Sequence, residues 1–344
     1  MHICFLMYPW ERIDPESDTT LRLVHECAQR GHTVAITTTS GLTIRDSSVY
    51  GFCQIIKKGM KISDNIPRFY RTAEFHKARL PMAGFDCIFM RANPPLDNLA
   101  LNFLDSVKGD TLIINDLEGL RVANNKLYTA SMSGAASRYI PTTHVSKNRD
   151  YLQRVLEESD SDKMILKPLN GFGGHGVIVI EKSARQNFSS LLDFYIGTDE
   201  QSNYVILQDY IEGAEEGDKR ILMLNGEPIG AMRRVPANGE FRSNVHAGGS
   251  VVRHTITREE RELCAAIGPK LVRDGLYFTG LDVIGNKLVE VNVLSPGGIT
   301  RINKLNRVRL QKQVIDFAEN IINSKELLMQ RKSAYRQAVE NANL

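Results

Sequence analysis

Apolar positions through residue 121 fall into short continuous runs, with stretches of helical spacing between them. Residues 3–7 are such a run and predict a buried strand, since a strand covered on both faces needs no polar alternation. Ser17 or Asp18 can cap the helix that follows through Leu21, Val24 and Ala28, and Gly31 stops it. Residues 34–38, 87–90 and 112–114 repeat the strand signal. Strands that alternate with helices predict an α/β fold with a doubly wound parallel sheet. Residues 115–121 form its boundary, so the first domain is 1–121.

The pattern then changes. Residues 148–158 are helical by the spacing of Tyr151, Leu152, Val155 and Leu156, and two short strands at 164–166 and 177–180 flank a glycine-rich loop. This gives a second, smaller unit over 122–202. A third, over 203–322, opens with strands at 204–208, 220–224 and 228–232. Thr257 and Glu260 form a Thr-x-x-Glu capping box ahead of a helix whose apolar face is Leu263, Ala266, Ile267 and Leu271. Strands at 278–284 and 288–293 follow, then a long helix with Leu310, Val314, Phe317 and Ile321 on one side. Residues 323–344 turn polar and are expected to fray.

Composition narrows the class. Of 344 residues, 42% are hydrophobic and 24% charged, enough for a large core and too many apolar positions for disorder. The net charge of +3 gives no electrostatic reason to expect nucleic acid. No apolar run approaches the roughly 18–20 residues of a membrane span, and the chain enters its first strand without the basic lead of a signal peptide. Five scattered cysteines lack CxxC spacing, which excludes a disulfide scaffold or a zinc ribbon. A cytoplasmic α/β enzyme that binds neither membrane nor nucleic acid is the expectation.

Candidate chemistry sits in four places. The loop Asn170-Gly-Phe-Gly-Gly-His-Gly176 joins strand to strand, whereas a dinucleotide fingerprint or a P-loop would open a helix. Such a loop is either an ordinary hairpin or a flap able to close over a nucleoside triphosphate. Lys167 ends the strand entering it, among Leu166, Pro168 and Leu169, and Lys126 lies upstream in Asn124-Asn-Lys-Leu-Tyr128. A lysine is a compact point charge suited to phosphate oxygens. The segment from Gly280 to Asn292 reads as two strands around a tight turn at Gly285-Asn286, with oxygens at Asp282, Glu290 and Asn292. Glu290 and Asn292 share a face by their spacing of two; Asp282 joins them only if the loop is odd in length or a bulge shifts the register. Hard oxygens on one sheet face suit Mg²⁺, with substrate phosphates completing the shell.

The fourth group is arginine-rich: Arg220, Arg233, Arg234 and Arg242. Guanidinium forks bind carboxylates and phosphoryl groups at two points. Residues 236–249 are glycine-rich and polar, as a lid would be. His175 and His246 fall in the two loops, and solvated histidines are the simpler reading. The cysteines read as core residues, and no nucleophile elbow is present.

Taken in order, these motifs resemble the ATP-grasp ligases, and among them the bacterial glutathione synthetases. Met90-Arg-Ala-Asn-Pro-Pro95, Asn125-Lys-Leu-Tyr-Thr-Ala130, Ile165-Leu-Lys-Pro-Leu-Asn-Gly-Phe-Gly-Gly174, Gly217-Asp-Lys-Arg220, Arg234-Val-Pro236, Arg242-Ser-Asn244, Ala247-Gly-Gly249, Ile267-Gly-Pro269 and Gly280-Leu-Asp282 with Glu290-Val-Asn292 carry the likeness. It implies an ATP-grasp fold behind an N-terminal parallel-sheet domain, and ATP as co-substrate with two Mg²⁺ ions, for which Mn²⁺ can stand in. By resemblance, Lys126, Lys167, Gly171, Gly173 and Gly174 face ATP phosphates, Gln208, Asp209, Tyr210 and Ile211 face adenine, and Asp218 lies near the ribose. Asp282, Glu290 and Asn292 hold the metal. Arg220, Arg234 and Asn244 surround the acyl-phosphate and the acceptor carboxylate, while Asp18, Thr19 and Arg91 help hold the γ-glutamyl donor.

The reaction implied is ligation of glycine to the cysteinyl carboxylate of γ-glutamylcysteine, by a homo-oligomer (dimer or tetramer). After Asn292 the chain reads Val-Leu-Ser-Pro-Gly-Gly-Ile299, where the enterobacterial form has Thr-Ser-Pro-Thr-Cys. Gly297 and Gly298 are therefore the acceptor-side candidates, and Arg242 is a further substrate-binding candidate. Two rivals stand beside this reading: another carboxylate–amine ligase on the same fold, and an ATP-binding regulatory protein without turnover.

Overall fold

The structure is a computed structural model that describes residues 1–171, 175–197, 202–236 and 249–342, with side chains omitted at 184–186. Contacts divide the chain into two units, Met1–Leu117 joined by Val308–Leu344, and Glu118–Arg307.

The first unit is built on a seven-stranded sheet. Its strands are β1 (His2–Met7), β2 (Thr33–Thr37), β3 (Leu42–Arg45), β4 (Ser48–Ile56), β5 (Phe75–Pro81), β6 (Cys87–Arg91) and β7 (Leu112–Ile114). The sheet runs β3-β4-β2-β1-β6-β7, with β5 on the free side of β4. As expected, β2, β1, β6 and β7 are parallel. Ile3, Cys4, Phe5 and Leu6 are wholly buried, and Phe5 stacks on Phe89 at 5.0 Å between centroids.

Strands β3, β4 and β5 were not anticipated and are antiparallel. Helix α1 (Thr19–Gln29) connects β1 to β2, with the Asp18 carboxylate accepting from the Leu21 N–H at 2.7 Å. Helices α2 (Ile66–Thr72) and α3 (Asn98–Asp105) fill later connections. Because the chain winds one way from β1 to β2 and the other way to β6 and β7, the carboxyl ends of β1 and β6 border a topological switch point. Open α/β sheets bind ligands in that crevice.

In the second unit, α4 (Leu117–Ala123) and α5 (Leu127–Ala130) lead into two antiparallel sheets. The smaller has β8 (Thr143–Ser146), β9 (Lys163–Pro168), β10 (Ile178–Glu181) and β11 (Val205–Asp209), in the order β10-β9-β11-β8. Helices α6 (Arg149–Glu158) and α7 (Phe188–Ile196) seal its core through Leu152, Leu156, Phe188 and Leu192. The larger has β12 (Asp218–Leu224), β13 (Glu227–Val235), β14 (Ser250–Arg253), β15 (Phe278–Ile284) and β16 (Lys287–Asn292), in the order β14-β13-β12-β15-β16.

Helix α8 (Arg258–Arg273) begins with the expected capping box, Glu260 N–H to Thr257 Oγ1 at 3.2 Å and Thr257 N–H to Glu260 Oε2 at 3.0 Å. Burial would raise the Glu260 carboxyl, but hydrogen bonds from His254, the Thr257 N–H and Lys219 outweigh it and hold the group down to about 2. Helix α9 (Ile299–Asn306) closes the unit.

Helix α10 (Leu310–Ala342) packs on α1 in the first unit. Val314, Ile315 and Ala318 are buried, and Arg30 Nη1 reaches Asp316 at 2.6 Å and Glu319 at 2.7 Å. Those contacts group it with the N-terminal strands, whereas the 203–322 division placed its first residues with the β15–β16 hairpin. The polar segment expected to fray continues this helix through Ala342, exposed throughout.

Candidate functional site

The hairpin β15–β16 resolves the register question. Its turn has two residues, with Ile284 opposite Lys287, but a bulge at Val289 brings Glu290 opposite Asp282 and Asn292 opposite Gly280. All three candidate ligands therefore line one face. Asp282 is 4% exposed. Its Oδ1 accepts from Arg220 Nε at 2.5 Å, and its Oδ2 from Arg220 Nη2 at 2.9 Å, Arg234 Nη2 at 2.9 Å and Asn292 Nδ2 at 3.1 Å. Burial would raise its carboxyl, yet the two guanidiniums hold it well below the usual carboxylate range. Asn292 Nδ2 also donates to the Gly280 carbonyl at 3.3 Å, which leaves Oδ1 as the atom able to ligate. Two carboxylates and one amide oxygen form a hard set that fits Mg²⁺, an ion that commonly takes one or two carboxylates and completes its shell from phosphates and water.

Register also explains the arginines. Arg220 lies opposite Asp282, and Asp218 opposite Arg234. Asp218, expected near a ribose, is buried and paired with Arg234, whose Nε reaches Oδ1 at 2.8 Å. The chain enters β12 through Gly217, whose φ is +99°. A side chain there would collide with the Arg234 carbonyl oxygen. Gly217→Ala is accordingly expected to cost about 3 kcal/mol in urea unfolding, from left-handed strain and overpacking together. A loss below about 0.5 kcal/mol would show that the entry to β12 yields easily.

A second cluster gathers the lysines. Lys167 is 7% exposed on β9 and donates to Gln208 Oε1 of β11 at 2.9 Å. Gln208 Nε2 in turn donates to Thr143 Oγ1 at 2.6 Å. Burial lowers the Lys167 ammonium to about 8, with Glu290 opposing the shift and Lys126 adding to it. Lys126 Nζ lies 3.4 Å from Glu290 Oε1 and donates to the Gly171 carbonyl at 2.5 Å. The metal candidates and both lysines thus meet at Glu290.

Asp209, Tyr210 and Ile211 follow on from Gln208, half-buried, with Tyr210 donating to Glu215 at 3.1 Å. The Gly297 carbonyl accepts from Arg220 Nη1 at 3.3 Å, and a side chain at Gly297 would meet nothing within 4 Å. Gly298 adopts a φ of +131° and caps α9. Gly173, Gly174, Arg242, Asn244 and His246 lie outside the described residues.

The first unit has its own polar cluster at the switch point. Arg91 ends β6, is 2% exposed, and donates from Nε to Thr20 Oγ1 at 3.0 Å. Burial lowers it to about 10, against the pull of Tyr8 and Asp18. Tyr8 donates its hydroxyl to Asp18, and Thr19 is buried at the first position of α1. Tyr8 and Thr20 were missed; the one available signal was the position of Tyr8 directly after a predicted strand.

Comparison with known proteins follows the same division. A model of the prokaryotic glutathione synthetase N-terminal domain matches residues 1–121, and one of the prokaryotic glutathione synthetase ATP-grasp domain matches 125–307. A glutathione synthetase of Synechocystis sp. is 36% identical over 329 residues, covering 93% of this chain and 99% of that protein. The protein of the same name from Thermosynechococcus vestitus is 37% identical, covering 92% and 98%.

Among solved structures, the D-cycloserine synthetase DcsG superposes with a TM-score of 0.61 at 14% identity, covering 94% of this chain and 99% of that one. The D-alanine-D-alanine ligase from Coxiella burnetii gives 0.56 at 12%, covering 97% and 99%. At such identities the structures show a shared fold.

Proposed function

The chain belongs to the prokaryotic glutathione synthetase family, and from that premise we propose that it joins the amine of glycine to the cysteinyl carboxylate of γ-glutamylcysteine at the expense of ATP. The supporting observation is the meeting of Lys126, Lys167 and the Asp282–Glu290–Asn292 face, with Arg220 and Arg234 bound to Asp282. Two phosphate-seeking lysines, a hard-oxygen face and two guanidiniums are what carboxylate activation by a nucleoside triphosphate requires.

The donor carboxylate attacks the γ-phosphorus, and the bond to the β-bridging oxygen breaks to release ADP. The amine of glycine adds to the acyl-phosphate carbonyl, and collapse of the tetrahedral adduct expels phosphate. Lys126 and Lys167 neutralise the triphosphate, and Arg220 and Arg234 compensate charge on the transferred phosphoryl group. Asp282, Glu290 and Asn292 would hold Mg²⁺ (two ions, Mn²⁺ able to substitute), which supplies charge neutralisation and alignment of the phosphates. Gly171, Gly173 and Gly174 offer backbone N–H groups to the phosphates, and Gln208, Asp209, Tyr210 and Ile211 face the base. Asp218 acts on the site by positioning Arg234. Arg242 and Asn244 are assigned to the acceptor side, as are Gly297 and Gly298. Asp18, Thr19 and Arg91 take the γ-glutamyl donor. No side-chain nucleophile is needed; orientation and exclusion of water remain as the protein's task.

A dimer or tetramer in the cytoplasm completes the proposal, with light scattering as the check on assembly. No helix among the described residues is long and apolar enough to cross a membrane.

Coupled ADP release tests the reaction. Turnover is expected only with γ-glutamylcysteine and glycine together, with glutathione identified by mass. The open space at Gly297 favours one second reading, a ligase that takes a larger acceptor. Faster turnover with alanine or serine than with glycine would move the assignment there, and ATP binding without turnover on any pair would refute the ligase.

A further inference from the structure

The first unit contains a cavity of about 610 Å³ that the ligase reaction does not use. It lies at the amino ends of the parallel strands: His2 opens β1, Thr33 opens β2, and Phe85 precedes β6. Ligands of an open α/β sheet enter at the opposite, carboxyl ends, where Tyr8, Asp18 and Arg91 are gathered. This is a separate site on the same sheet.

Its walls follow from the antiparallel strands. Ala35, Ile55 and His76 are paired in sequence across β2, β4 and β5 and so share one face. Ile55, Ile56, Leu80 and Phe85 make the lining largely apolar. The polar groups at its border are basic: His2, Lys57, Lys58 and His76. Two of them are matched by acids. Asp86 accepts from the His2 backbone N–H at 2.6 Å and lies 3.6 Å from its Nδ1, and Lys57 pairs with Glu74 at 2.9 Å. Lys58 and His76 have no ion pair among the described residues.

We infer that this cavity binds a small amphipathic anion, with an apolar chain or ring system held against Ile55, Leu80 and Phe85 and a single carboxylate, sulfonate or phosphate held by Lys58 and His76. The volume lies within the roughly 300–1,000 Å³ of small-molecule sites, which are mainly apolar with a few orienting polar groups. The unpaired Lys58 ammonium selects the sign of the ligand. An apolar wall without it would accept a neutral molecule equally well.

Anilinonaphthalene sulfonate, titrated into the full chain first alone and then with ATP and Mg²⁺ saturating, is the first probe, and decanoate is the competitor. One probe per chain is expected, displaced by decanoate, with the neutral phenylnaphthylamine bound about tenfold more weakly. The double variant Lys58→Glu, His76→Glu should weaken the sulfonate about tenfold while leaving the neutral ring system unaffected. Leu80→Trp, which fills the cavity, should remove both. Circular dichroism and the urea-unfolding midpoint report that each variant is folded, so a failed ligase assignment would not affect this result. Sulfonate binding unchanged in both variants overturns the inference, as does its loss on adding ATP. A change in sedimentation coefficient with Leu80→Trp overturns it too, by showing that a second copy of the chain covers this face.

Discussion

Asp282→Asn is expected to lower ADP formation by about 10³-fold while ATP still binds. Asp282 is where the two halves of the chemistry meet, as a metal ligand candidate and as the shared counter-charge of Arg220 and Arg234. An asparagine keeps the shape and one acceptor oxygen but removes the charge. Two buried guanidiniums are then left short of compensation, because Asp218 is already committed to Arg234. Breaking a buried pair in this way costs about 3–5 kcal/mol, so a lower melting temperature should accompany the lost turnover.

Calorimetric titration with ATP separates the two effects, since retained binding shows a folded nucleotide site. A variant that keeps a tenth of the wild-type rate would remove Asp282 from the reaction. A variant that loses rate but none of its stability would mean that Arg220 and Arg234 find other partners.

The parallel half of the first sheet was legible because its strands are continuous apolar runs. Residues 112–114 were bounded correctly, and of the two cap candidates, Ser17 and Asp18, it is the Asp18 carboxylate that accepts from Leu21. Strand β4 was not read, although Val49, Gly51, Cys53 and Ile55 alternate inward. A glycine among the inward positions and an exposed Phe52 blur that period, and no local rule says that such a strand will extend a parallel sheet.

At the candidate site, residue types were legible and partners were not. The hairpin oxygens announced themselves by chemistry, but whether Asp282 faces Glu290 depended on one extra residue, Val289, that spacing alone cannot assign to a bulge. The pairing of Asp218 with Arg234 and the seat of Lys167 on Gln208 are cross-strand facts. They exist only once β12 lies against β13 and β9 against β11. Competition matters as well: Asp18 was given to substrate by resemblance, and the fold also spends it on a helix end and on Tyr8.

Lys167 yields the other large effect, and it carries a pH signature. The free protein holds its ammonium at about 8, below the ordinary 10.5, mainly because burial disfavours the charge. The unfolded chain therefore binds the proton more tightly than the folded one, and stability rises as pH climbs from about 8 towards 10.5. ATP binding has the opposite requirement. With Lys167 on the triphosphate as proposed, the phosphate oxygens would favour the charged lysine, so affinity is expected to be full below pH 8 and to weaken above it, approaching tenfold per pH unit. Glu290 and Lys126 are the other charged groups facing Lys167. The variant must therefore alter Lys167 alone.

Lys167→Met is expected to weaken ATP about 100-fold at pH 7, to flatten the affinity profile between pH 8 and 10, and to make the free protein no less stable, because a buried charge is gone. Fluorescence titration of a labelled ATP analogue across that range, with urea unfolding in parallel, measures both. A profile that still bends at pH 8 in the variant would show that Lys167 is not the group that titrates. A variant that binds ATP normally at every pH would leave Lys167 a structural residue whose charge serves only Gln208.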